Sequence, residues 1–498
     1  MLRPSTTRPR GPVANGQTAN FRALLGGGSD EDRVAVAHML VGALFLVVGG
    51  FMELLALFAL RFDELSPISF ARFEDAANLN LLIGFGVLSL AGGMYYVLPR
   101  ITGTRLWSRD LAALGLLAIA GMVAVGTAAI FFGLGSGQGP WGLPWWLDLP
   151  LVGALAVPSA VAIGTVLNRQ ETRSYVSLWF LIGGAVWLPA VATVNLVAHL
   201  PFLSEVARAY AEVFVMAGLV TMWLLAVGTG LFYYSVVKEL DIPLASRQLA
   251  SVGFWSLGFG AVWWGTAQLI FGPGPGWVSG VAASLGLALP LAMIANTANV
   301  TISLEGHWEE LAERPGLVSG VVGLFFGLAV AAMAGLAGFP GIGSVTALTS
   351  FWEAIEFGFM VGVAPLLVAG TTMHALPRLS GRAIASPARA RSFTQLIVIG
   401  AGGVVVSMAV SGILTGFSWV SGANSAAFSP VGEGWSAANG PADTLYLIAL
   451  GFGLIALTGV LSYASTIFGT VTRGTAVSQE VLVTEDQSAM AGTGPEDE

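Results

Sequence analysis

Ionisable and amide side chains set inside long apolar runs are the part of this sequence that could do chemistry. Glu53, Glu212, Glu353 and Glu356 stand in such runs, with Asn78, Asn80, Gln268, Asn296 and Asn299. A charged group at a helix centre in lipid costs roughly 2.5–3.5 kcal/mol, so such groups face a bundle interior or water. The spacing of three puts Glu353 and Glu356 on one helix face, although Glu353 is close enough to a window's edge to be expected in solvent. Glu53, Glu212, Gln268 and Glu356 make the candidate intramembrane polar site. Such a set can share a proton, hold a hard cation through oxygen ligands, or simply pair its polar groups in otherwise apolar space. The pairing role is expected over the metal site. Donors of other kinds are few. There is no Cys, which removes disulfides, thiolate haem ligation and Cys-based zinc sites. Of the four His, His38 and His374 read as packing or interfacial residues, and His199 and His307 as solvated loop residues.

The elements that position these groups must be membrane helices. The chain has 498 residues, 55% hydrophobic and 10% charged, with a mean hydropathy of +0.78. Soluble domains carry roughly 25% charged residues, so a soluble enzyme is excluded and the lipid bilayer is the first partner. No basic patch suggests nucleic acid. Twelve windows, from Val34–Leu60 to Leu445–Phe468, reach the roughly 20 apolar residues that a span needs. Residues 1–29 read as a disordered tail, 30–470 as the membrane domain and 471–498 as an acidic disordered tail. Only Arg61, Arg72 and Arg208 fall in odd-to-even loops, while every other basic residue lies in the tails or the even-to-odd loops. The positive-inside bias then puts both ends in the cytoplasm, and a multi-pass protein of a prokaryotic plasma membrane is expected. Trp141, Trp145, Trp146, Trp277, Trp419 and Trp435 read as interfacial anchors on the other face.

Three of the basic loops repeat one text. Residues 95–112 read YYVLPRITGTRLWSRDLA, 233–250 read YYSVVKELDIPLASRQLA, and 373–390 read MHALPRLSGRAIASPARA. In register they share a basic sixth residue (Arg100, Lys238, Arg378), a Ser at the fourteenth place (Ser108, Ser246, Ser386) and a final Ala. They follow windows two, six and ten, which makes the chain three units of four helices. Twelve-span carriers are commonly built from two halves of six, and the repeat argues against that class.

This plan and text resemble the catalytic subunit (subunit I) of the haem–copper oxidase superfamily, in the branch of C-family cytochrome c oxidases and nitric oxide reductases. The resemblance rests on Tyr95-Tyr96-Val97-Leu98-Pro99-Arg100, Tyr233-Tyr234, Pro243, Ser246, Leu249, Phe254-Trp255, Pro275-Gly276-Trp277, Asn296 and 376–382 (LPRLSGR). It covers about residues 33–470. It implies an all-α membrane fold of twelve helices in three pseudo-symmetric four-helix arcs. It also implies six His that hold two haems and a copper or non-haem iron. Counted from the repeats, those positions carry Ala77 with Asn78 beside it, Ala217, Ala267 and Gln268, and Ile355 and Phe357 flanking Glu356. No His lies near them, and Ala or Ile cannot ligate iron. No haem, copper or other metal is therefore expected.

Three functions follow. The first is a non-catalytic subunit or assembly partner alongside other respiratory membrane subunits. The second is an active oxygen or nitric oxide oxidoreductase with non-standard ligands. The third is an ion or small-molecule transporter that reuses the vacated cavity. On the second the chain is an enzyme, on the first and third it is not.

Overall fold

The computed structural model describes residues 29–476 apart from 138, 201 and 424–432. The expected tails lie outside the described residues except at their inner ends. Ser29 caps the first helix by accepting from Asp32 N, and the last helix runs to Arg473. Among the described residues, eleven helices are long and apolar enough to cross a membrane. They are α1 (Asp30–Arg61), α2 (Phe70–Thr102), α3 (Arg109–Phe131), α4 (Trp145–Leu167), α5 (Val176–Ala198), α6 (Glu205–Leu240), α8 (Gly276–Ser303), α9 (Pro315–Ala337), α10 (Ser350–Ser380), α11 (Pro387–Ser421) and α12 (Ala442–Arg473). Between α6 and α8 the expected window is occupied by α7, residues 247–269, which changes pitch twice. It is α-helical over Arg247–Trp255, wider over Ser256–Gly260 and tighter over Ala261–Leu269. Gly258, Gly260 and Gly265 make this stretch a poor α-helix former.

The helices do not share burial equally. The apolar windows of α2, α6 and α10 are 100%, 83% and 94% buried, against 28–56% for the other spans. These three, one per repeat, form the axis of the bundle, and the remaining helices face lipid on one side. They meet closely: Gly93 of α2 faces Leu231 of α6 and Thr371 of α10, and Gly228 of α6 faces Leu367 and Leu90. Each axial helix also loosens into a π-helical stretch at the same place in its repeat: Leu79–Val87, Leu219–Leu225 and Gly358–Val363.

The three junctions fold alike. Each axial helix ends in a left-handed residue: Gly103 (φ +64°), Asp241 (φ +51°) or Gly381 (φ +65°). Gly reaches that region without strain, and Asp tolerates it better than most residues. Five residues later a Ser caps the next helix. Ser108 Oγ accepts from Leu111 N (3.2 Å), Ser246 Oγ from Leu249 N (3.1 Å) and Ser386 Oγ from Arg389 N (3.3 Å). These caps satisfy backbone donors that the helix cannot pair. Asp30–Arg109 (2.7 Å) ties the start of α1 to the first junction. Ala383 N donating to Thr475 O (2.9 Å) ties the end of α12 to the third. Both ends of the described bundle therefore lie on the junction face.

One ionic cluster locks this face. Glu239 of α6 accepts from Arg314 Nη1 (2.8 Å) and from Arg378 Nη1 of α10 (3.0 Å), and it also pairs with His374 Nδ1. His374 is buried, and its Nε2 meets Tyr96 Oη of α2 at 3.3 Å. α6, α10 and the segment before α9 thus meet at one carboxylate, and α2 joins them through His374. Removing one partner of a buried pair leaves its counter-charges uncompensated. Glu239→Ala is expected to cost about 2 kcal/mol, discounted for the partial exposure of the cluster. Thermal unfolding in detergent should show this as a lowered midpoint, with Glu239→Gln recovering part of it.

A carboxylate chamber at the opposite face

At the other end of the axis, carboxylates gather where helices begin. Glu74 and Asp75 lie in the first turns of α2, Glu212 in those of α6, and Glu353 and Glu356 in those of α10. A helix N-terminus favours negative charge, and the spacings 74/78 and 353/356 put each pair on one helix face. The result is a chamber of about 230 Å³ lined by Glu74, Asp75, Asn78, Glu212, Gln268, Glu353 and Glu356. Gln268 Nε2 donates to Glu356 Oε1 (2.9 Å), joining α7 to α10. A second, narrow cavity of about 20 Å³ shares Asn78, Glu353 and Glu356 with the chamber and is lined by Glu53 of α1. The structure therefore brings together all four members of the expected polar site: Glu53, Glu212, Gln268 and Glu356. Asn78 is 5% exposed and its Oδ1 meets no donor.

Glu353 was expected in solvent. It lines the chamber and the narrow second cavity instead, with Oε2 buried and unpaired. Glu74 and Asp75 fall outside the second apolar window, Ala77–Leu98, because the helix begins at Phe70, seven residues before that window opens. Their signal was present, since Glu74 and Asn78 stand one turn apart on the same face. Trp141 is not an interfacial anchor. It is 1% exposed and its Nε1 donates to the buried Asp148 (3.0 Å). His199 is not solvated, because its ring is buried, with Nδ1 3.2 Å from Asp148 Oδ2 and 2.9 Å from Asn195 O. Trp145, Trp146 and Trp277 are exposed, as anchors must be. His38 is a packed core residue, with Nδ1 2.8 Å from Val34 O and its ring edge-on to Tyr95.

Beneath the chamber lie the positions where the resemblance implies haem and metal ligands. Ala77, Ala217 and Ile355 have no exposure, Ala267 has 1% and Phe357 has 5%. Hydrocarbon at these five offers no donor atom, whereas Asn78 and Gln268, the other positions so placed, carry amides that line the chamber. The space around them is filled by rings. Trp264 stacks on Trp352 at 6.2 Å between centroids and lies 5.8 Å from Phe359. Trp223 donates to Gly86 O (3.3 Å), crossing from α6 to α2. Gly265 packs so tightly on α6 that a Cβ there would sit 3.0 Å from Ala217 Cβ and would overlap the Val213 carbonyl. The gap between α6 and α7 is closed where a metal would need room. Among the described residues, no group of three His, Cys, Asp or Glu is disposed to hold a metal ion. The residues present do not fit an axially ligated haem or an imidazole-bound copper at these positions.

The sequence profile described as cytochrome c and quinol oxidase polypeptide I matches residues 33–440. Cytochrome c oxidase subunit 1 of Rhodobacter capsulatus is 25% identical over 408 residues, covering 78% of this chain and 76% of the relative. The cbb3-type cytochrome c oxidase subunit CcoN1 of Stutzerimonas stutzeri is 26% identical over 383 residues, covering 72% and 77%. A solved heme-copper terminal oxidase dimer aligns with a TM-score of 0.73 at 13% identity, over 93% of this chain and 91% of that one. The axial arrangement is thus a shared fold, and the profile spans most of the sequence that builds it. The chain belongs to the cytochrome c and quinol oxidase polypeptide I family.

Proposed function

We propose that this family member is a non-catalytic membrane subunit or assembly partner of a respiratory complex, in the plasma membrane of a prokaryote, with both termini cytoplasmic. The observation that carries the reading is the buried hydrocarbon at Ala77, Ala217, Ala267, Ile355 and Phe357. A haem would be held to the chain by a side-chain donor to its iron, and copper or non-haem iron favours imidazole. A bundle that has replaced these with methyl, sec-butyl and benzyl groups, and packed Trp264, Trp352 and Phe359 beside them, keeps the scaffold and gives up the electron-transfer centre. What it keeps is a rigid twelve-window body with a lipid-facing perimeter and two polar ends, suited to docking against other membrane subunits.

The chamber favours a second reading, an ion path that ends in the carboxylates. Intramembrane carboxylates commonly mark ion and proton routes. Against a route through the whole axis stands the apolar belt between the two polar ends. It is built of Leu81, Leu82, Ile83 and Phe85 from α2, Trp223, Leu224 and Leu225 from α6, and Phe359, Met360 and Val361 from α10, all buried.

Two measurements separate these readings. Purified protein is expected to show no Soret band above a few hundredths of a haem per chain and no stoichiometric copper or iron. One haem or more per chain would overturn the non-catalytic reading. In proteoliposomes, no proton or cation flux above that of empty vesicles is expected. Flux that is abolished in Glu356→Gln or Glu53→Gln and retained in Glu205→Gln, outside the chamber, would establish the ion path instead.

A further inference from the structure

The three-fold register makes the clefts between repeats directly comparable, and two of them differ in one decisive residue. In the cleft between repeats two and three, Glu239 supplies the carboxylate that takes Arg314, His374 and Arg378. Its register equivalent in the cleft between repeats one and two is Ile101, since the repeats align Arg100-Ile101 with Lys238-Glu239. Tyr234 and Lys238 stand there in the places of His374 and Arg378. The basic residue is kept, the His is a Tyr, and the anion is gone.

In that place the structure has a cleft of about 640 Å³. Arg100, Arg173, Lys238 and Arg247 line it, with Glu171 as its one acidic lining residue. Glu171 Oε1 is engaged by the backbone N–H of Arg173 (2.9 Å). Arg100 leans toward Asp32 (3.9 Å) and over the Tyr96 ring, and Arg247 donates to Ser174 O (3.3 Å). Lys238 and the Arg173 guanidinium have no acidic partner among the described residues. Deeper in, the walls are Ile101, Val176, Val237 and Leu244, with Tyr234. A basic mouth over an apolar interior, at the junction face of a membrane bundle, fits one kind of molecule: an anion with a hydrocarbon tail.

We propose that this cleft binds an anionic phospholipid from the leaflet on the junction face, the phosphate taking the place that Glu239 fills in the neighbouring cleft. Basic pockets between transmembrane helices commonly recruit anionic lipid head groups on the cytoplasmic side. An acyl chain along Val176, Val237 and Leu244 adds the apolar burial that a free phosphate lacks.

The test measures equilibrium binding of fluorescent phosphatidylglycerol and phosphatidylcholine to the full chain in neutral detergent. Saturable binding is expected for phosphatidylglycerol and at least ten-fold weaker binding for phosphatidylcholine. Each lost cation near a charged head group weakens binding about five-fold, so Arg173→Ala with Lys238→Ala should weaken it roughly thirty-fold. Ile101→Glu places the missing carboxylate inside the cleft and should abolish binding while the unfolding midpoint holds. Arg389→Ala with Arg391→Ala removes equal charge from exposed sites elsewhere on the junction face and should change nothing. Equal binding of the two lipids, or binding untouched by Ile101→Glu, would overturn the proposal. Displacement by low-millimolar inorganic phosphate would reassign the cleft to the free anion.

Discussion

The structure depends on three helices that have no lipid face. A peripheral span can leave one side to hydrocarbon chains, but α2, α6 and α10 must satisfy protein neighbours all the way round. In lipid there is no hydrophobic gain from bringing helices together, so close packing and polar pairing hold such an axis. Small residues allow the approach, as where Gly93 backs onto Leu231 and Thr371. Polar residues are driven to the two ends, where they can find partners or water. The ionic cluster around Glu239 and the chamber around Glu356 are the two outcomes of that sorting. At one end cations and an anion are matched. At the other, carboxylates collect at helix N-termini around space large enough to hold water.

The same axis explains why a member of an oxidase family can keep its fold with hydrocarbon where ligands are implied. Around small and apolar side chains at those positions, space must be filled or the helices must close, because interiors tolerate few voids larger than a water molecule. Both remedies are visible. Between α7 and α10, Trp264 and Trp352 supply stacked rings. Between α6 and α7 the backbones close at Gly265. The π-helical stretches just past Asn78, Gly218 and Phe357 are a further mark of the plan, since they recur in all three repeats whatever side chains surround them.

Much of the fold was legible because membrane helices declare themselves by length, and because the junction text encodes local geometry. A left-handed residue five places before a capping Ser is readable wherever it recurs. The chamber was half legible. Glu53, Glu212, Gln268 and Glu356 stand out as polar groups in apolar runs, but Glu74 and Asp75 precede the hydropathic window of α2 and lie outside any apolar run. Hydropathy finds where lipid begins and not where a helix begins. Trp141 and His199 were misjudged for a related reason. Trp141 reads as an anchor and His199 as a solvated loop residue, yet both are buried against Asp148 at the start of α4, pairings that hydropathy does not reveal. The pitch changes in α7 escaped as well, because glycines weaken a helix without saying which neighbours will exploit it. Glu239 was in plain view inside a repeated junction, and its importance lay in being the residue that did not repeat.

That last point has a general consequence. Pseudo-symmetry provides an internal control for reading one sequence without relatives. Where three repeats agree, as at the capping serines, the shared residue serves the common backbone. Where they disagree at a position whose surroundings are preserved, the disagreement marks a local task. Ile101, Glu239 and Leu379 occupy one register position beside a basic residue that all three repeats keep. A role in the backbone geometry common to the repeats would require similar side chains in each. The chain instead places a carboxylate in one cleft and a butyl side chain in another, and the second cleft stands open with unneutralised cations at its mouth. Burying a charge without a partner is costly, so the cations that stay near water in the open cleft and the carboxylate enclosed in the closed one each stand where solvation allows. The two clefts are solutions to the same electrostatic problem, one closed from within and the other left for a partner in the bilayer.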